Sequence, residues 1–202
     1  DALSVPERKN PVGTIRAFAE AFPGGSGATL QMQVAHAERV DGLLPAMREA
    51  AQGARVTFGE GILSRDRLSD LFASCDAYVS LHRAEGFGFP IAEAMSLGKA
   101  AVATDYSGSA DFLDESTGFP VRWSPRALPE RVRNYEAGTL WAEPDLRHAV
   151  ETLRRVRDDA GERERRGQAA KRRIESLYSA RVAGERIRTR LEALRARQGE
   201  GS

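Results

Sequence analysis

The stretch Ala77-Tyr78-Val79-Ser80-Leu81-His82-Arg83-Ala84-Glu85-Gly86-Phe87-Gly88-Phe89-Pro90-Ile91-Ala92-Glu93 decides the fold. It opens as a short strand, Ala77–Leu81, and its apolar pattern resumes as a helix over Phe89–Leu97. Between them lie two glycines, and a proline stands near the first helical position. A strand that turns through glycines straight into a helix is one half of a βαβ unit. Gly86 and Gly88 let the backbone approach a ligand closely. The amides of Gly88, Phe89 and Ile91, at or near the helix start, have no partner inside the helix and carry the positive end of its dipole, which suits a phosphate. Pro90 donates nothing but fixes the entry. Glu85 in the loop and Glu93 about one turn into the helix flank that anion site with acceptors, and acceptors beside phosphates suit hydroxyl groups, that is, sugars. Each part also has a plainer reading. Glycine-rich strand-to-helix turns occur in many α/β domains, and the dipole stabilises any carboxylate in a first turn. The combination carries the inference.

The same alternation extends both ways. Upstream, Asn10 and Pro11 read as N-cap and first residue of a helix with the stripe Ile15, Phe18, Ala19 and Phe22. Leu30, Met32 and Val34 alternate as a strand, a helix follows near Leu43–Ala50, and Val56 and Phe58 form a strand that ends in Gly59-Glu60-Gly61. Ser64 caps a helix with the stripe Leu68, Leu71, Phe72 and Cys75. Downstream, Ala100–Thr104 is another apolar strand. The expected fold class is α/β: a Rossmann-like parallel sheet with helices on both faces, ligands lying beyond the carboxyl ends of its strands. Pro120–Pro144, with prolines at 120, 125, 129 and 144, loses periodicity and reads as a long surface excursion. From Leu146 three helical stripes recur, the last being Ala183, Ile187, Leu191 and Leu194, each expected to pack on the body with an arginine-rich face in water. The closing Gly199-Glu200-Gly201-Ser202 reads as disordered.

The chain has 202 residues and a formal net charge of +1, which argues against a whole-protein field for nucleic acid. The average hides a split: from Leu146 onward 16 Arg or Lys face 9 Asp or Glu, a balance of +7, so residues 1–145 carry −6. The single cysteine, Cys75, excludes an internal disulfide or a cysteine-rich metal site and reads as a small buried hydrophobe. No apolar run approaches the roughly 20 residues of a membrane span, and the composition is of a cytoplasmic type. Asp1 in place of a methionine suggests a piece of something longer.

The Glu85–Glu93 stretch resembles the E-x7-E signature of retaining glycosyltransferases with the GT-B fold, in particular family 4. The similarity extends through Glu93-Ala94-Met95-Ser96-Leu97-Gly98-Lys99 and Ala103-Thr104-Asp105-Tyr106-Ser107-Gly108, and to Glu7-Arg8-Lys9-Asn10-Pro11 and Trp141-Ala142-Glu143-Pro144-Asp145. In that family the E-x7-E domain is the carboxy-terminal half, which binds the nucleotide sugar, and an amino-terminal half binds the acceptor. The resemblance therefore implies a donor-binding domain over residues 1–178, a basic helix and tail over 179–202, and a missing acceptor-binding partner domain. It implies that Glu85 meets hydroxyls of the transferred sugar and Glu93 those of the ribose. Amides of Phe87, Gly88 and Phe89 would meet sugar and pyrophosphate, and Lys9, helped by Arg8, would neutralise the leaving diphosphate. Ala2-Leu3-Ser4 lacks the Gly-Arg pair common before that lysine, and the family's first strand belongs ahead of Asp1.

Gly59–Leu63 occupies the loop where the family reads the base through main-chain groups, so UDP-sugar and GDP-sugar remain equal expectations. No metal or other cofactor is implied: there is no Asp-x-Asp motif, and Asp158-Asp159 lies in a charged helical stretch. His82, directly after a strand, either faces the sugar or is an ordinary bonded loop residue. Ser107 and Gly108 end the next strand and are candidates to approach the donor. His36 and His148 read as structural. The function expected is transfer of a sugar from a nucleoside diphosphate sugar to a glycan or other acceptor, with the isolated domain inactive. The alternative is a sugar- or nucleotide-sugar-binding module without catalysis. A weaker expectation is peripheral contact with the inner membrane face through the basic terminal helices.

Overall fold

Asn10 does two jobs at the start of the first long helix. Its side chain accepts from the N–H of Gly13 at 3.2 Å, capping the helix, and donates to the carbonyl of Leu81 at 2.9 Å. Gly13 is a glycine for that reason, since a Cβ there would overlap the Asn10 side chain. The computed structural model describes residues 1–199. In chain order the elements are α1 Pro6–Lys9, α2 Pro11–Ala21, β1 Leu30–Val34, α3 Leu43–Ala50, β2 Val56–Glu60, α4 Arg65–Ser74, β3 Ala77–Ser80, α5 Phe89–Ser96 and β4 Ala100–Thr104. They continue with β5 Phe119–Val121, β6 Trp123–Ala127, β7 Leu140–Pro144, α6 Leu146–Asp158, α7 Ala160–Tyr178 and α8 Ala180–Gly199.

The α/β architecture has parallel strands with helices on both faces. The central strand, β4, is buried throughout and alternates between two cores. Ala100 and Val102 join Ala17, Phe18, Val150 and Leu153 of α2 and α6 on one face. Ala101 and Ala103 join Ile91, Met95, Ala170 and Ile174 of α5 and α7 on the other. Period-two burial on both sides of a small-residue strand is what lets helices approach closely on either face. Gly167 shows how closely: a Cβ there would overlap the Gly98 carbonyl just before β4.

The sheet differs from the expectation in being split. β1 pairs with β2 in parallel, β3 with β4 and β4 with β5 in parallel, and no ladder joins the two groups. Both groups nevertheless rest on α2, because Leu30, Val56, Ala77 and Val79 all pack on its Ala17, Phe18 and Ala21 cluster. All four residues of β3 are only half-buried, unlike β4. The chain start spans the break at the carboxyl ends: Ala2 N–H donates to Ala35 beyond β1, and Arg83 N–H beyond β3 donates to Arg8 in α1.

Residues 120–144 are not a plain excursion. They hold the end of β5 and an antiparallel hairpin of β6 and β7, with Trp123 opposite Pro144 and Ala127 opposite Leu140. The pattern was hidden because β6 is exposed along its whole length and contains Pro125, so no alternation marks it. Cys75 is half-buried, not buried, and α4 buries none of its residues fully. The stripe of α8 does not pack on the body: Ile187 is 61% exposed, and Leu191 and Leu194 are exposed too, because α8 departs beyond Tyr178. Gly199 ends α8, and the rest of the expected disordered tail lies outside the described residues.

Candidate functional site

The loop between β3 and α5 turns at Gly88, whose φ of +90° is the left-handed conformation that glycine adopts without strain. α5 then starts with no side-chain cap and no acidic residue in its first turn, so its leading amides face outward unneutralised. Glu93 lies beyond that first turn, and its carboxylate pairs with Arg65 of α4 at 3.2 Å.

Glu85 is the hub. Lys9 Nζ donates to its Oε2, Arg8 Nη1 stands 3.5 Å from its Oε1, and the N–H of Gly86 donates to Oε1 at 3.2 Å. Arg8, nearly buried, also donates to the Ala84 carbonyl at 2.6 Å and to Ser4 Oγ at 3.0 Å. These contacts bring α1 against the loop that carries Glu85, although the two lie far apart in sequence. Burial pushes the Glu85 carboxyl up, but the hydrogen bond and charge of Lys9, with Arg8 and His82, outweigh it and hold it below the ordinary carboxylate range. Tyr78 in β3 has its phenol raised by burial first and then by the charges of Glu85 and Glu93.

The loop beyond β4 clasps the Glu85 loop. Ser107 Oγ accepts from the Glu85 N–H at 2.8 Å, and the Gly108 N–H donates to the Glu85 carbonyl at 3.1 Å. A Cβ on Gly108 would overlap the Gly86 carbonyl oxygen and lie 2.9 Å from Phe87 Cα. His82, fully buried, sits behind this clasp, its rings nitrogens within reach of Ser80 Oγ at 3.1 Å and the Tyr106 carbonyl at 3.2 Å. The acceptor at Nε2 requires the Nε2–H tautomer, which leaves Nδ1 to accept from Ser80. Of the two readings of His82, the bonded loop residue is the one this geometry describes.

Phe87 packs on Phe112 and Tyr178, while Phe89 is 70% exposed beside the loop with its ring 4.9 Å from Phe87. Gly59 lies within β2, opposite Gln33, and Gly61 just beyond the strand, at φ +87°, donates its N–H to the Val34 carbonyl and accepts from Gln33 Nε2 at 2.7 Å. Leu63 is half-buried and Ile62 is 75% exposed. This loop leads directly into Arg65, so the Arg65–Glu93 pair joins it to α5. Lys9, Arg8, Glu85, Phe87, Gly88, Phe89, Ser107 and Gly108 thus form one contiguous group, and Glu93 with the Gly59–Leu63 loop forms an adjoining one. Sequence reasoning missed Arg65 and Ser4, whose roles come from tertiary reach with no motif around them. Among the described residues no group of three or more His, Cys, Asp or Glu is placed to hold a metal ion.

The geometry is that of an α/β domain with an open, glycine-turned helix start flanked by carboxylates and cations. Residues 15–137 match the family described as glycosyl transferases group 1, and the chain belongs to that family, the family 4 group of GT-B glycosyltransferases. No curated protein sequence matches it. Solved structures agree on the fold. Sucrose-phosphate synthase from Thermosynechococcus elongatus is 21% identical at a TM-score of 0.68, over 96% of this chain and 43% of that one. Anabaena HepE in complex with UDP and glucose is 18% identical at a TM-score of 0.70, over 92% and 45%. The C-terminal domain of a glycosyl transferase group 1 family protein, LpcC, from Francisella tularensis is 18% identical at a TM-score of 0.65, over 86% and 81%. The chain therefore spans less than half the length of the first two.

Proposed function

We propose that this chain is the donor-binding half of a retaining, metal-independent glycosyltransferase that takes its sugar from a UDP- or GDP-sugar. The observation that carries the reading is the convergence of Lys9, Arg8 and the uncapped start of α5 on Glu85. When the bond from the anomeric carbon to the diphosphate breaks, its electron pair leaves with the phosphate oxygen, and Lys9, Arg8 and the amides of Phe87, Gly88 and Phe89 stand where that charge develops. The acceptor oxygen bonds to the same face of the anomeric carbon, and its proton goes to the departing phosphate.

Lys9 and Glu85 already neutralise each other, so donor binding is an exchange. The diphosphate takes over Lys9, and the released Glu85 carboxylate accepts hydroxyls of the sugar. Glu93, given up by the exposed Arg65, receives the ribose hydroxyls, and the Gly59–Leu63 loop meets the base through its backbone. HepE, whose structure contains UDP and glucose, has the same fold and supports a nucleotide-sugar ligand. The acceptor-binding half would be a separate domain. No described helix is long and apolar enough to cross a membrane, and contact of the basic α8 with an anionic lipid surface is a further part of the reading, open to flotation with liposomes.

Calorimetric titration with UDP, GDP and their glucose conjugates tests it, with and without EDTA and across salt concentrations. Saturable binding that survives EDTA and weakens with salt is expected, because the neutralising charges are side chains and amides. Binding that collapses with EDTA, or none at all, overturns the reading.

A further inference from the structure

A cavity of about 550 Å³ lies between α1 and the start of α2, the loop joining β1 to α3, and the hairpin of β6 and β7. That volume suits one or two sugar rings. None of the groups assigned to the donor lines it; Glu7, Asn10 and Arg83 do, so it adjoins the donor site across one helical turn. Its apolar wall is Val12, Leu43, Leu128 and Trp141. Trp141 is 3% exposed, and its indole N–H meets no acceptor among the described residues.

The polar groups on the cavity are evenly mixed in sign. Four carboxylates, Glu7, Asp41, Glu130 and Glu143, face three guanidiniums, Arg16, Arg83 and Arg126. Glu143 is committed: Arg83 holds it with two hydrogen bonds of 2.7 and 2.9 Å, and Arg126 adds one of 2.7 Å. The side chains of Glu7, Asp41, Glu130 and Arg16 form no hydrogen bond or ion pair with any described residue. The seven charges sum to −1 and the unpaired ones are mostly carboxylates, a field that disfavours an anion. Hydroxyl groups serve carboxylates as donors and guanidiniums as acceptors without bringing charge, and a sugar ring also offers an apolar face to the half-buried Val12 and Leu43.

We propose that this pocket binds an uncharged sugar unit of the acceptor, independently of the nucleotide; the sugar's role as acceptor rests on the transferase reading, its binding does not. The hairpin then recognises the acceptor from the donor side of the cleft.

The test uses the whole chain in a Trp123→Phe background, so that fluorescence reports Trp141 alone. Glucose, galactose, mannose, N-acetylglucosamine and their disaccharides are titrated with and without saturating UDP, and UDP binding is measured separately by calorimetry. Saturable quenching in the millimolar range by at least one sugar, unchanged by UDP, is expected. Asp41→Asn with Glu130→Gln, both at exposed positions, should weaken it about tenfold and leave UDP affinity unaltered. No saturation by any sugar at tens of millimolar, competition by UDP, or indifference to the two substitutions overturns the proposal. Loss of UDP binding with sugar binding intact would strike the donor reading alone.

Discussion

The backbone of Glu85 is held at both of its polar groups by two consecutive residues, its N–H by Ser107 Oγ and its carbonyl by the Gly108 N–H at 3.1 Å. Position, as well as charge, is thereby imposed on the carboxylate. Gly108→Ala should force the two loops apart, because the new Cβ meets rigid backbone at Gly86 and Phe87. Stability should fall by about 1–3 kcal/mol, and UDP-glucose affinity should fall more than ten times. Thermal denaturation and calorimetry read the two effects; unchanged ligand binding would show that the clasp does not set the site.

Replacing Glu85 by Gln leaves Lys9 without its anionic partner. On the proposed roles UDP engages Lys9 and not Glu85, so it should bind as well or up to about fivefold more tightly, since a partly exposed ion pair is worth about 1 kcal/mol at most. UDP-glucose should bind more weakly than to the unaltered chain, because the sugar loses a charged acceptor. Parallel loss of affinity for both ligands would remove Glu85 from the role of sugar ligand.

His82 gives a pH signature. Burial, opposed by the Tyr106 carbonyl, holds the folded imidazole below its ordinary value. The unfolded chain takes up that proton first, so the stability that neutral His82 contributes is complete above its ordinary pKa of about 6.5 and is lost as pH falls through the lower folded value. The depressed Glu85 acts in the same direction at more acid pH. Urea denaturation between pH 5 and 8 should show stability declining below about pH 6.5, and His82→Gln should flatten that slope whatever it does to the absolute value. An unchanged slope would contradict it.

The break between β1 and β3 should be visible in amide exchange. The amides of β4, paired on both sides, should be the most protected, and those of β3 that point away from β4 should exchange early. Fusing five β-branched residues ahead of Asp1 should slow exchange on both β1 and β3 and raise the melting temperature. Uniform protection across β3 and β4 would argue against an open edge.

Much of this was readable in the residues. Leu30, Met32 and Val34 announce β1 by alternation, Asn10 and Ser64 cap helices as their types suggest, and the strand, glycine turn and helix over Ala77–Ser96 are legible in their residues. What escaped lacked a local signal. β6 is exposed along its whole length and so has no buried face to mark it, and it pairs only with β7 from beyond a loop. Arg65 reaches Glu93 across two helices, and Arg83 reaches Glu143 from the end of β3 to the hairpin. The break in the sheet is a property of what lies between two strands, which neither strand's sequence states.

The bridging of that break by the first nine residues also orders assembly in time. Ala2 can bond to Ala35 only once β1 is in place, and Arg8 can receive the N–H of Arg83 only once β3 is. Closing such long loops costs entropy that early local contacts do not repay, so the expected order has α1 settling after both groups of strands have formed. Lys9 and Arg8 reach Glu85 at that last step. On the proposed donor reading, a half-folded chain would have no cationic seat for a diphosphate, and affinity for nucleotide would signal that folding is complete.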